Sequence, residues 1–337
     1  MRLAAQALVA LALIGPVAAA EFRIEEARSA AAIAPGALKP GVVIISDGRG
    51  SENADPVTGL VRFEDWARDR PVHKRLLALH PAYIEPTINV NVHGVVKPYK
   101  EKLHVYVAEA RFLIDKPADG LDLSRFANLA FLERIDPAIR HRPLNPADAL
   151  PLKDPEERHN AHPQRPWCGP GTACIASTYQ LEGKLPMGIR LANKLEEGGK
   201  RISESMEFQS ELRVVPAAEA VAFTELTTLD VPVTGAIEQS IFSVNQMMMF
   251  GKFLAVFQRH PADPARTICT VFMTLALETD VLEKKKEFER VPVLRNLVPA
   301  QVLAGNSSFN TGSSLSAGLP GYTRNQIKAV AGVLNGR

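Results

Sequence analysis

Apolar and polar positions change period several times along this chain, and each period predicts an element. Val42-Val43-Ile44-Ile45 is a short apolar run stopped by Asp47-Gly48, which reads as a buried strand. Ile88, Val90 and Val92 alternate with Asn89, Asn91 and His93, and a second extended run covers Leu103 to Ile114. With a turn-forming segment around Lys97-Pro98 between them, the two runs predict an N-terminal hairpin. Leu123 to Ile135 has near-helical spacing through Phe126, Leu129 and Ala130.

The pattern is cleaner in the second half. Met206, Phe208, Ser210, Leu212 and Val214 alternate with Ser205, Glu207, Gln209, Glu211 and Arg213, the pattern of an antiparallel strand wet on one face. Ile237, Ile241, Val244 and Met248 follow Thr234-Gly235 at i, i+4, i+7 and i+11, which predicts a helix over 236–250 that ends near Gly251. On that reading, Met247-Met248-Met249 point in three directions and are packing residues rather than copper ligands. Phe253 to Gln258 and Thr267 to Glu278 are β-type runs joined across His260-Pro261-Ala262-Asp263-Pro264, a second hairpin. Tyr322 to Leu334 closes the chain as a helix carrying Ile327, Val330 and Leu334. The fold class is therefore α+β, with mainly antiparallel strands in hairpins and a few packed helices.

Prolines suggest a division of the chain. Residues 137, 143, 146, 151, 155, 163, 166 and 170 are all proline, each with a fixed φ and no amide donor. The segment 137–173 thus reads as a linker or surface arm between an N-terminal α+β region, 21–136, and a C-terminal one, 174–337.

The first twenty residues address the protein. Arg2, the apolar run Leu3 to Ile14, the Gly15-Pro16 break and Ala18-Ala19-Ala20 have the order of a cleaved secretory signal, so the mature chain is expected to begin near Glu21. Its destination is the periplasm or the outside of the cell. Without Arg2 the chain carries 38 basic and 37 acidic side chains, a balance that argues against nucleic acid or a polybasic membrane patch as partner. After the signal no apolar stretch is long enough to span a membrane, since Glu238, Gln239, Asn245, Gln246 and Lys252 interrupt the nearest one.

Export changes how the cysteines are read. His159, His162, Cys168 and Cys174 fall within sixteen residues, the densest cluster of reactive side chains in the chain. In an oxidising compartment Cys168 and Cys174 are candidates for a disulfide, and closing so short a loop gives about 2.4 kcal/mol before strain. The alternative is a zinc or copper site on the same four residues. Pro163 and Pro166 oppose it by forcing extension after the histidine pair, and Cys-x5-Cys is wider than the usual zinc spacing. Trp167-Cys168-Gly169-Pro170 resembles the start of the thioredoxin active-site motif, but Gly171 follows and the second cysteine comes six residues after the first. Cys269 shares an apolar strand face with Val271, Met273 and Leu275, as a buried inert thiol would.

Asn306, Ser308, Asn310 and Ser313 lie in a run of short hydroxyls and amides that suits a ligand-binding loop. G-x-S-x-G, S-x-x-K and H-E-x-x-H do not occur. An export signal, a full core and no catalytic signature together predict a non-catalytic protein, without cofactor, that binds an envelope component or a partner protein. The alternative is an extracytoplasmic thiol- or metal-dependent hydrolase or redox enzyme built on residues 159–174.

Overall fold

The apolar and β-branched runs form the centre of one large sheet. A computed structural model describes residues 22–28, 30, 33–47, 61–62, 87–92, 95–100, 103–145, 148, 171–180, 205–244, 248–278 and 315–336. The strands are β1 (Arg23–Glu26), β2 (Val42–Asp47), β3 (Val61–Arg62), β4 (Thr87–Val92), β5 (Val95–Lys100), β6 (Leu103–Ile114), β7 (Ile139–Pro143), β8 (Ala173–Gln180), β9 (Ser205–Val215), β10 (Val233–Val244), β11 (Met248–Arg259) and β12 (Thr267–Glu278). The helices are α1 (Leu129–Ile135), α2 (Ala217–Ala220), α3 (Thr224–Thr227) and α4 (Leu315–Leu334). The order across the sheet is β1-β2-β6-β12-β11-β10-β9-β8-β7, and β3 pairs with the start of β6. Only β1 and β2 run parallel; every other described pairing is antiparallel. This is an α+β fold, and strands from both sides of segment 137–173 share its sheet.

Three expectations change. Residues 236–250 are not a helix but most of β10 and the start of β11, paired from Val233↔Gln258 to Ile241↔Gly251. Both faces of β10 are covered, so Ile237 and Glu238 are buried side by side and the polar alternation that marks a strand is lost. The N-terminal hairpin forms between β4 and β5, with Ile88 opposite Tyr99, so Lys97-Pro98 lies inside a strand rather than at a turn. β6 pairs instead with β12 along its whole length. Within the proline-rich segment, Ile139–Pro143 is a strand; it is placed last in the sheet, where a missing amide donor is tolerated.

Strand parity sorts the interior into two layers. Phe112, Phe208, Leu212, Ile237, Phe257, Val271 and Leu275 share one face of the sheet with α4, which presents Ile327, Val330, Ala331 and Leu334 at i, i+3, i+4 and i+7. The Asn335 side chain fixes the end of that helix to β6: Oδ1 accepts from the Asp115 amide at 3.0 Å, and Nδ2 donates to Leu113 O at 3.2 Å. Midway along the helix, Arg324 reaches Glu26 at 2.7 Å and Asp47 at 3.4 Å, while Tyr106 donates to Asp47 at 3.0 Å. No helix among the described residues is long and apolar enough to cross a membrane.

The opposite face packs Val215, Val233, Leu254, Val256 and Phe272 together with Ala220, Phe223 and Leu226. Here Arg111 is wholly buried. Its Nε donates to Thr270 Oγ1 at 3.1 Å, Nη1 to Ile33 O at 3.0 Å and Nη2 to Thr227 O, with Glu109 3.9 Å away. One guanidinium thus ties β6, β12, the chain before β2 and the end of α3. The turn it holds continues through Thr228 at φ +56°, a conformation that β-branched residues rarely adopt. Replacing Arg111 by Leu takes a donor from Thr270 Oγ1, Ile33 O and Thr227 O, of which Thr227 O keeps the Thr228 hydroxyl, and we expect a loss of about 3 kcal/mol in urea unfolding. Arg259→Ala, which breaks an exposed pair with Asp119, should cost about 1 kcal/mol or less.

Candidate functional site

Helix α4 and helix α1 cover the first face incompletely and enclose a cavity of about 90 Å³ with β7, β9, β10, β11 and β12. Most of its wall is apolar. Helix α1 supplies Phe131, Leu132 and Ile135; the sheet supplies Phe208, Leu212, Ile237, Ile241, Phe253, Met273 and Leu275; α4 supplies Val330. These residues meet because each strand directs alternate side chains to this face. Gly251 adds room: a Cβ there would stand 3.2 Å from Ile241 Cδ1 and 3.3 Å from Leu275 Cδ2.

A small polar set interrupts the wall. Asp136, just after α1, accepts hydrogen bonds from the Ala138 amide at 3.2 Å and from Gln326 Nε2 of α4 at 2.8 Å. Burial raises the Asp136 carboxyl above its ordinary value, and those two hydrogen bonds oppose the rise. His141 of β7 has Nδ1 2.8 Å from Ser177 Oγ, and its ring meets Phe208 edge to face with centroids 6.5 Å apart. Burial lowers the imidazole below its ordinary value despite the nearby Glu133 carboxylate, so it is neutral at pH 7. Gln239 donates from Nε2 to Ser210 Oγ at 3.2 Å. Tyr322 completes the set, its phenol pushed up by burial, with Asp136 and Tyr179 adding to the shift.

Charges inside the sheet lie mainly on the other side. Lys252 borders the cavity, but its Nζ is 2.7 Å from Glu238 Oε2 and 2.7 Å from Ser240 Oγ, and residues 238, 240 and 252 have the strand parity of the second layer. Arg213 Nε also donates to Glu238. Burial acts to raise the Glu238 carboxyl, and Lys252 and Arg213 outweigh it, leaving it below its ordinary value. Gln209 is buried on that layer too, so the expected wet face of β9 is only partly wet.

Of the cysteines, histidines and loop residues singled out in the sequence, Cys174 and Cys269 are described, and neither lines the cavity. Cys174 opens β8 with the parity of the second layer, its Sγ 3.8 Å from Thr172 Oγ1. His159, His162 and Cys168, and the stretch holding Asn306, Ser308, Asn310 and Ser313, lie outside the described residues, as does the segment 1–20 read as a secretory signal. Cys269 is a free, buried thiol on the first face of β12, its ionisation pushed up by burial. Among the described residues no group of three or more His, Cys, Asp and Glu is placed to hold a metal ion. The cavity's polar residues were missed in the sequence because they come from α1, β7, β10 and α4, and His141 falls in the segment read as an arm. The alternation of Phe208 and Leu212 and the stripe of Ile327 and Val330 were the available signals.

The His141–Ser177 pair has the residue types of a nucleophile and its base. Ser177, however, is 2% exposed and does not line the cavity, so its hydroxyl orients the ring rather than facing a bound molecule.

No family model matches the chain, and no curated protein matches it. Among solved structures it is similar to the human StarD13 (DLC2) lipid transfer and protein localization domain at 9% identity and a TM-score of 0.30, covering 79% of this chain and 96% of that one. A likeness at that score carries no argument here.

The lowered imidazole has a measurable consequence. Its folded value lies below the unfolded one near 6.5, so on acidification the unfolded chain takes up the proton first and stability falls as pH drops below about 6.5. In thermal melts between pH 7.5 and 5, His141→Gln should lose less stability than the unaltered protein.

Proposed function

We propose that this protein is an exported, non-catalytic binder that takes an apolar small molecule of the cell envelope into the cavity between α4 and the sheet. One observation carries this reading: an apolar chamber, edged by a few oriented polar groups, lies between the sheet and the helices α1 and α4. Its size bounds the occupant. At about 90 Å³ it is smaller than the roughly 150 Å³ engineered cavity that admits benzene, which favours a ring edge or a single hydrocarbon segment over a two-chain lipid. The fastening of α4 at Asn335, Arg324 and Gln326 supports a preformed chamber.

The test uses N-phenyl-1-naphthylamine, an uncharged dye that brightens in apolar surroundings; it is larger than the chamber, which is not closed, so that only the edge of one ring enters and the rest stays at the mouth. It should bind the mature protein with saturable fluorescence, and Ile241→Trp, which fills the cavity from a part-exposed position, should weaken binding about tenfold or more while leaving the melting temperature within a few degrees. Dye binding that Ile241→Trp does not change would place the site elsewhere.

The same reading places the protein in the periplasm or outside the cell and pairs Cys168 with Cys174. Mass spectrometry after differential alkylation should find these two cysteines blocked until reduction, and Cys269 reactive without reductant only once the chain is unfolded. Stoichiometric zinc or copper, with Cys168 and Cys174 both free, would replace this reading with the metal-dependent one.

A further inference from the structure

The described walls of the cavity hold a carboxylate but present no cation to an occupant. Lys252 is the one basic residue among the described wall residues apart from His141, and its ammonium is held on the opposite layer by Glu238 and Ser240 at 2.7 Å each. Arg324 and Arg213 are likewise committed to carboxylates, and neither lines the cavity. His141 holds Ser177 through Nδ1 and carries no charge at neutral pH. What remains at the polar end is the Asp136 carboxylate and the side-chain amide of Gln326, bonded to each other, beside the Tyr322 ring. An anionic head entering this end would lose its water and meet a like charge with no counter-ion, whereas a hydroxyl can donate to the same oxygens.

Resting on the binding role argued above, we propose that the ligand is a hydrocarbon with an uncharged, hydrogen-bond-donating head, an alcohol rather than a carboxylic acid, and that Asp136 sets this selectivity.

The experiment compares 1-decanol with decanoate as competitors of the bound dye at pH 7.5, in the mature protein and in Asp136→Asn. Decanol should displace the dye at a concentration at least tenfold lower than decanoate. The hydration of a free carboxylate also favours the alcohol in any apolar site, so the change in the ratio between the two proteins is decisive. Asp136→Asn removes the like charge and should narrow the gap by about tenfold. An unchanged ratio in Asp136→Asn, or decanoate displacing as well as decanol in the unaltered protein, would overturn the selectivity while leaving the binding role intact. Failure of the dye and of both competitors to bind would instead overturn the binding role, and the selectivity with it.

Discussion

Burial of the central strands on both faces is the constraint on which the rest of this structure depends. β6, β10, β11 and β12 lie between α4 on one side and the α2–α3 segment on the other, so a polar side chain on either face must find its partner within the protein. Arg111 satisfies that demand with acceptors from three neighbouring segments. Glu238 does so with Lys252 and Arg213, and Lys252 in turn with Ser240. The first cluster joins elements far apart in sequence and the second joins three consecutive strands, and each would be costly to leave half made.

These interior charges share a layer. Because side chains alternate along a strand, placing Arg111, Glu238 and Lys252 on one face leaves Phe112, Ile237 and Phe253 to the other. The second layer therefore holds these paired charges among its apolar side chains, and the first contains the cavity. A one-residue slip in register would exchange the two, which makes the paired charges a specification of register as well as of packing. The chemistry of the cavity follows from this separation: a lysine in its wall keeps its charge on the far side of the sheet, and the carboxylate of Asp136 faces the chamber without a cationic neighbour among the described wall residues.

The helix that closes the cavity is fixed by side chains at its C-terminal end and in its middle. Asn335 ties its C-terminal end to β6, Arg324 ties its first half to β1 and β2, and Gln326 reaches Asp136 at the end of α1. Gly336 follows at φ +76°, the left-handed position that commonly ends a helix. Part of this structural set, the Gln326–Asp136 bond, is also the polar end of the cavity.

Periodicity alone determined the strands β2, β9 and β12 and the closing helix, because each has either an unbroken apolar run or a clean alternation that belongs to a single period. It also placed Cys269 on an apolar face, where it is buried. Periodicity failed at β10: a strand buried on both faces, with Glu238 satisfied by Lys252 of the neighbouring strand, has no polar face to display, and its isoleucines then fit a helical period. It failed at β4 and β5, where a proline was taken for a turn. The cavity was not legible at all. Its polar residues are separated by up to about two hundred positions, and only the antiparallel register and the docking of α4 on α1 bring Asp136, His141, Gln239 and Gln326 to one chamber. Local sequence encodes what each segment can form by itself; which buried charges meet, and which face is left apolar, is decided when the strands align.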